Sequence, residues 1–307
     1  MACRYKRLLA SCVALCATPA AAETLPVSGV YPAGNDAAAS LGTIAIERFG
    51  GGEGEGLAIA LTDRLRGATI DGEPYFRIVP AGASREVDAV LRGTGTAEAR
   101  RRDSGTREEE ICVERDEDRD CIRREKREIP CRDQVVRLDA TVRLVGADGA
   151  LIQAFDREEE QVQRFCRGDS PPSVEGMKRQ LAARYADLLR ADLAPVQRLD
   201  DVRVMESREG LSRDDGRVFR EAVQLTKSDV GAACAAWSAL EPGNSANAAI
   251  LFNLGLCAES RGELYEAYDY YRRVLAEDED VDYARQGVAR IEARWRANAQ
   301  LEGRRPS

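Results

Sequence analysis

Nine cysteines and no histidine stand in a chain of 307 residues. Without imidazole there is no Ser-His-Asp or Cys-His nucleophile pair, no His-ligated zinc and no histidine pH switch. Carboxylate and thiol chemistry remain. Paired Asp and Glu residues could act on glycans as general acid and base. Spacing singles out no such pair: from Glu98 to Glu128 there are 12 acidic and 10 basic residues, interleaved as on a solvated face.

The thiols are more specific. Cys3, Cys12 and Cys16 fall in the first 22 residues, where Arg4, Lys6 and Arg7 precede an apolar run from Leu8 to Ala17, and Ala20, Ala21 and Ala22 precede Glu23. This pattern predicts a secretory signal peptide over 1–22, cleaved after Ala22, and a periplasmic mature chain. Leu9, Ala10, Ser11 and Cys12 also resemble a bacterial lipobox, which makes lipidation of Cys12 the alternative. The apolar run is shorter than the ~20 residues a membrane span needs, and no later segment is expected to cross a bilayer.

Six cysteines then remain: Cys112, Cys121, Cys131, Cys166, Cys234 and Cys257. An even number in an exported chain implies disulfides. The spacing of the first four lacks the C-x-x-C knuckle of structural zinc sites, so no metal and no cofactor is expected. Cys112 and Cys121 stand symmetrically about Glu114 to Arg119, as cross-strand partners in a charged hairpin would. Cys131 and Cys166 stand 17 residues on either side of a centre between Asp148 and Gly149. Cys234 and Cys257 flank a turn at Pro242, Gly243 and Asn244 and come to similar heights on adjacent antiparallel helices. The expected pairing is Cys112–Cys121, Cys131–Cys166 and Cys234–Cys257.

A glycine-rich stretch, Phe49 to Gly56, lies between a strand and a helix, where exposed backbone N–H groups could bind an anion. It fits neither G-x-G-x-x-G nor G-K-[ST], and Glu53 and Glu55 would repel a phosphate, so a flexible surface turn is expected.

The elements that hold these residues follow from periodicity. Residues 23–40 read as a loose lead. Thr43 to Ile46 reads as a buried strand, Leu57, Leu61 and Leu65 mark a helix, and Tyr75 to Val79 and Ala89 to Gly93 mark strands. Val136, Leu138, Ala140, Val142 and Leu144 alternate with polar residues as in a half-buried strand, and Gly146 to Gly149 turns into a strand through Leu151, Ile152 and Phe155. Val174 to Leu193 is a helix ended by Pro195, and Val196 to Met205 a last strand. The reading for 41–205 is an α+β domain, a mostly antiparallel sheet with flanking helices. From Gly216 the pattern is helical, giving an all-α domain over 206–300 and a tail at 301–307.

Within the helical part, residues 248–281 resemble one tetratricopeptide repeat. Leu251, Leu254, Gly255, Ala258, Gly262, Ala267, Tyr271 and Leu275 fall at that family's packing positions. Glu279 replaces its usual proline and Val274 its common alanine. Small Gly255 and Ala267 let two helices approach, Gly262 permits the turn, and Tyr271 fills the gap. The resemblance implies binding of a protein or peptide partner, with Glu259, Tyr265 and Tyr268 as candidate contacts. Upstream, Val218 to Leu240 reads as a degenerate repeat.

The α+β part is similar, in TIAIERF, LAIALTDRLRG and YFRIVP, to the domain shared by curli-secretion-channel proteins and the lipoprotein activators of penicillin-binding proteins. Its charged hairpin cannot line a bilayer, so the pore function does not carry over. A net charge of −8 offers no field for nucleic acid. The expected function is a non-catalytic periplasmic scaffold or adaptor that binds a protein partner, with envelope assembly as its setting; the alternative is a carboxylate-dependent glycan-acting enzyme.

Overall fold

The computed structural model describes residues 23–80, 82 and 87–304. The expected signal peptide, with the lipidation candidate Cys12, lies outside the described residues, as do residues 305–307 of the tail. The described residues divide into two units, one of those within 28–199 and 288–304, the other of 23–27 and 200–287. This division differs from the expected 41–205 and 206–300, chiefly because the second half of the last helix belongs with the sheet.

Up to residue 203 the elements are β1 (Thr24–Tyr31), α1 (Asp36–Ala39), β2 (Thr43–Ile46), α2 (Gly54–Arg66), β3 (Thr69–Ile70), β4 (Glu73–Pro74), β5 (Arg77–Pro80), β6 (Ala89–Arg115), β7 (Cys121–Gly146), β8 (Leu151–Cys166), α3 (Val174–Leu193) and β9 (Val196–Arg203). The main sheet runs β5-β2-β6-β7-β8. It is mixed rather than mostly antiparallel at its start, because β2 pairs in parallel with both β5 and β6. Thr43, Ile44 and Ala45 are all buried, as the central strand of a parallel group requires. Beyond β6 the pairing is antiparallel.

The residues read as a loose lead are ordered into β1 and α1. Leu25 and Val27 are fully buried. Strand β1 pairs with β9 in a separate two-stranded sheet, so β9 does not extend the main sheet as expected.

One face of the main sheet carries α2 and α3. Leu57, Leu61 and Leu65 of α2, and Met177, Leu181, Tyr185 and Leu189 of α3, pack on Ile44, Leu91, Val136, Leu138 and Val142. Each such aliphatic side chain contributes about 1.5–3 kcal/mol on burial. Helix α3 starts where Ser173 Oγ accepts from the Gly176 N–H at 3.1 Å and stops at Ala194, before Pro195. The Tyr185 hydroxyl, inside this core, donates to the Phe155 carbonyl at 2.6 Å, and burial pushes its pKa upward. The opposite face is wet: Arg137 pairs with Glu158 and Asp139, Arg100 with Glu160, and Arg92 with Glu47.

Strand β8 accompanies β7 only as far as Cys131, which faces Cys166 directly. Past this point residues 106–115 and 121–130 continue as a two-stranded ribbon, solvated as its charge density implies. The ladder shifts register between Asp103 and Thr106, where Gly105 takes φ +81°, as the left-handed residue of a bulge does.

All three expected bridges are present: Cys112–Cys121, Cys131–Cys166 and Cys234–Cys257. The register expected for the first needs correction. Cys112 lies opposite Arg124 and Cys121 opposite Arg115, and two further register shifts between Cys112 and Arg115 separate these ladder positions. The Asp116 carboxylate, accepting from the N–H groups of Asp118 and Asp120, centres the turn on Asp118. The bridge is therefore diagonal rather than directly cross-strand.

The other unit is built of α4 (Arg213–Leu225), α5 (Val230–Leu240), α6 (Ala248–Ser260), α7 (Leu264–Glu277) and the start of α8 (Asp282–Glu302). Ser212, Asp229 and Asn247 cap α4, α5 and α6 with their side chains. Cys234 on α5 and Cys257 on α6 have Cα atoms 5.9 Å apart, as helices antiparallel about the turn at 241–247 would place them.

Candidate interaction surface

Helix α6 is apolar almost all round, and every residue from Ala249 to Glu259 is buried. Such a helix must be covered on several sides. One covering element is α7, and the fit between the two depends on Tyr271. A Cβ added to Gly255 would lie 2.5 Å from the Tyr271 ring, and one added to Gly287 of α8 would lie 2.7 Å from it. The ring is held between two glycines. Gly262, at φ +79°, makes the turn between α6 and α7. Leu251, Leu254, Ala258, Ala267 and Tyr271 are buried and Leu275 half-buried, so these positions act in packing.

Glu259, expected as an exposed contact, is corrected: it is 0 % exposed and accepts the Tyr271 hydroxyl proton at 2.7 Å. Its position on the last full turn of a helix covered by its neighbours removes it from any accessible surface. Asn253, which sequence reasoning did not single out, is also buried. Its amide accepts from the Met205 N–H and donates to the Met205 carbonyl, both at 2.9 Å, fixing the segment that leads into the helices. An amide inside the apolar run ILFNLGL was the available signal, since a buried amide needs partners.

The two tyrosine candidates lie outward. Tyr265 is 81 % exposed and Tyr268 is half-buried, one turn further along α7. Tyr270 is turned toward α5: its hydroxyl donates to Glu241 at 3.2 Å, and Arg273 donates to the same carboxylate at 2.8 Å. Desolvation, then the Glu241 charge, raises the Tyr270 pKa. Arg261 and Glu263 pair at 2.6 Å beside the turn, and the Arg261 guanidinium holds the Glu263 carboxyl below its ordinary range. The accessible part of α7 thus presents Tyr265, Tyr268, Glu266, Asp269 and Arg272. An aromatic body ringed by charges can desolvate against a partner while its rim stays wet.

The glycine-rich stretch of the sheet unit forms the expected exposed turn, with its two sides bonded to β6. The Gly50 N–H donates to the Gly93 carbonyl, the Gly95 N–H to the Gly50 carbonyl, and the Glu53 N–H to the Gly95 carbonyl. A Cβ on Gly51 would lie 2.2 Å from the Gly95 oxygen, and one on Gly54 2.6 Å from the Phe49 oxygen. The glycines let backbone approach backbone, and the N–H groups of Gly50 and Glu53, which an anion would need, are already bonded.

All six cysteines after residue 22 are in bridges, which fits folding in an oxidising compartment outside the cytosol. Among the described residues no helix is long and apolar enough to cross a membrane, and no group of three or more metal-ligating side chains is found.

No family model and no curated protein matches the chain. Among solved structures it is similar to PelC from Paraburkholderia phytofirmans, crystallised as a dodecamer. A single-substitution variant is 15 % identical over 56 % of this chain and 98 % of that one, with a TM-score of 0.23. A second PelC structure is 14 % identical over 54 % and 96 %, again at 0.23. The rare lipoprotein B of Shewanella oneidensis is 15 % identical over 48 % of this chain and 92 % of its own, also at 0.23. Likeness of this extent carries no inference about function or assembly.

Proposed function

We propose that the chain is a non-catalytic scaffold or adaptor of the bacterial periplasm, working in envelope assembly, and that its helical unit is a tetratricopeptide-type array holding a protein partner. The observation that carries this reading is the division of labour among the tyrosines of α7. Tyr271 is locked between Gly255 and Gly287, whereas Tyr265 on the same helix stands 81 % exposed. A large aromatic side chain held at that exposure on a rigid helix is a contact anchor of the kind that dominates interfaces. The two disulfide-tied helical hairpins around it keep the surface preformed, which lowers the ordering cost of binding.

The rival reading, glycan chemistry by two carboxylates, needs a pair of unlike environment across one cavity. In the groove between α2 and α3 the nearest such residues, Glu53 and Glu175, both bind Lys178 at 2.8 and 3.0 Å. Their arrangement supports an ion-pair role. The adaptor reading is tested by purifying the chain with its bound partner from periplasm and repeating this with Tyr265→Ala. Loss of the partner from a folded variant is the expected result; undiminished partner with Tyr265→Ala and with Tyr265 and Tyr268 both replaced by alanine would contradict it.

A further inference from the structure

A cleft lies in the sheet unit, along α2. Glu55, Ala58, Ile59, Thr62 and Arg66 recur at helical spacing and form one wall of this cleft of 360 Å³. The other wall is the C-terminal ends of β2 and β5, with Ile46, Ile78 and Pro80. From Glu55 to Arg66 the helix rises about 16 Å, which is the length of roughly five extended residues. The floor is apolar, and Ile59 on the rim is 56 % exposed, so the cleft is open along its side.

Two guanidinium groups mark its ends. Arg48 follows β2 beside the first turn of α2, and Arg66 sits in the last turn. Neither has a hydrogen-bond or ion-pair partner among the described residues, in a protein where most arginines near a carboxylate are paired. Glu55 is likewise unpaired among the described residues and shares the Arg48 end, which leaves that end balanced and the Arg66 end positive. The edge strand β5 ends at Pro80, which has no N–H to offer, so main-chain pairing with an added strand contributes little here. Side chains must supply the recognition.

We infer that this cleft binds a short extended peptide segment of a partner protein, with an apolar run along α2 and a side-chain carboxylate on Arg66. A guanidinium offers a carboxylate two parallel donors, which adds geometric specificity to the charge. An open cleft favours a peptide over an acyl chain, which needs enclosure to bury its length. The surface is distinct from α7, so its failure would leave the helical reading untouched.

The test uses the full chain and two fluorescein-labelled, C-terminally amidated pentapeptides, four alternating leucines and valines ending in glutamate or in lysine, read by fluorescence anisotropy. The acidic peptide is expected to bind at least tenfold tighter than the basic one, and Arg66→Glu to reverse the preference. Ile59→Asp is expected to weaken both peptides by a similar factor. Circular dichroism on each variant separates lost binding from lost fold. Equal binding of the two peptides, binding unchanged by Arg66→Glu, or displacement of both by a fluorescent fatty acid that binds more tightly than either would overturn the inference.

Discussion

Replacing Gly255 with alanine sets two effects against each other. In an α-helix the change from glycine favours the folded state by about 1 kcal/mol through backbone entropy. Against this, the new Cβ would stand 2.5 Å from a Tyr271 ring carbon, and the ring cannot retreat because Gly287 packs on it at a distance that would put a Cβ only 2.7 Å away. Overpacking of a core costs about 1–3 kcal/mol, and a ring held from two sides belongs at the upper end. The net expectation is destabilisation by about 2 kcal/mol. Gly56 of α2 provides the control, since nothing lies within 4 Å of its would-be Cβ. There the same substitution is expected to stabilise by about 0.5–1 kcal/mol. Urea unfolding of the oxidised protein in a Trp295→Phe background, followed by the fluorescence of buried Trp237 for the helical unit and by far-ultraviolet circular dichroism for both, measures the two. If Gly255→Ala were neutral or stabilising, or if Tyr271→Leu failed to relieve its cost in the double variant, the sandwich around Tyr271 would not be what holds the helices together.

Further outcomes follow from other parts of the molecule. Tyr265→Ala is expected to leave unfolding within about 0.5 kcal/mol of the parent while weakening the partner at least fivefold, because a side chain 81 % exposed buries little surface on folding. Tyr185→Phe removes the hydrogen bond to the Phe155 carbonyl and is expected to cost about 1 kcal/mol at neutral pH. Burial raises the Tyr185 pKa above its ordinary value of 10.0, so its contribution is complete below pH 10 and lost as pH rises beyond it; the variant should lack that part of the alkaline decline in a titration of stability. Replacing Cys112 and Cys121 with serine is expected to speed amide exchange over 106–130 with little change in the main unfolding transition, since the ribbon adds nothing to the core. Slow exchange there in the variant would show that the bridge is dispensable.

Much of this architecture can be read from the sequence wherever local signals decide. Helix α3 runs over Val174–Leu193 because a serine cap and a proline stop bracket an apolar stripe. The Cys131–Cys166 pair falls at equal distance from a Gly-containing turn, and the ladder agrees residue for residue from Leu144 to Cys131. Reading failed where the partner was remote. Strand β1, with Pro26 and Gly29 inside it, looks like a loop until β9 supplies its neighbour more than 150 residues later. The parallel pairing of β2 was hinted at by the continuous apolar run TIAI, yet which strands flank it depends on the whole chain.

The candidate surface shows the same limit. The spacing of Gly255, Gly262 and Tyr271 describes packing between two helices well. It says nothing of what covers the remaining sides of α6, and that is why Glu259, polar and near a helix end, reads as exposed yet is buried against Tyr271. The glycine-rich stretch carries a similar lesson: its composition suggests freedom, whereas its glycines serve close approach to Gly93 and Gly95.

The measurement that bears most directly on the adaptor reading is site-specific photocrosslinking in intact cells, with benzoylphenylalanine placed at position 265 and, as a control, at the exposed position 122 of the charged ribbon. A discrete ultraviolet-dependent adduct with one protein at 265, absent at 122 and competed away by excess unlabelled chain, is the result the account predicts. No adduct at 265, or the same unselective smear at both positions, would contradict it.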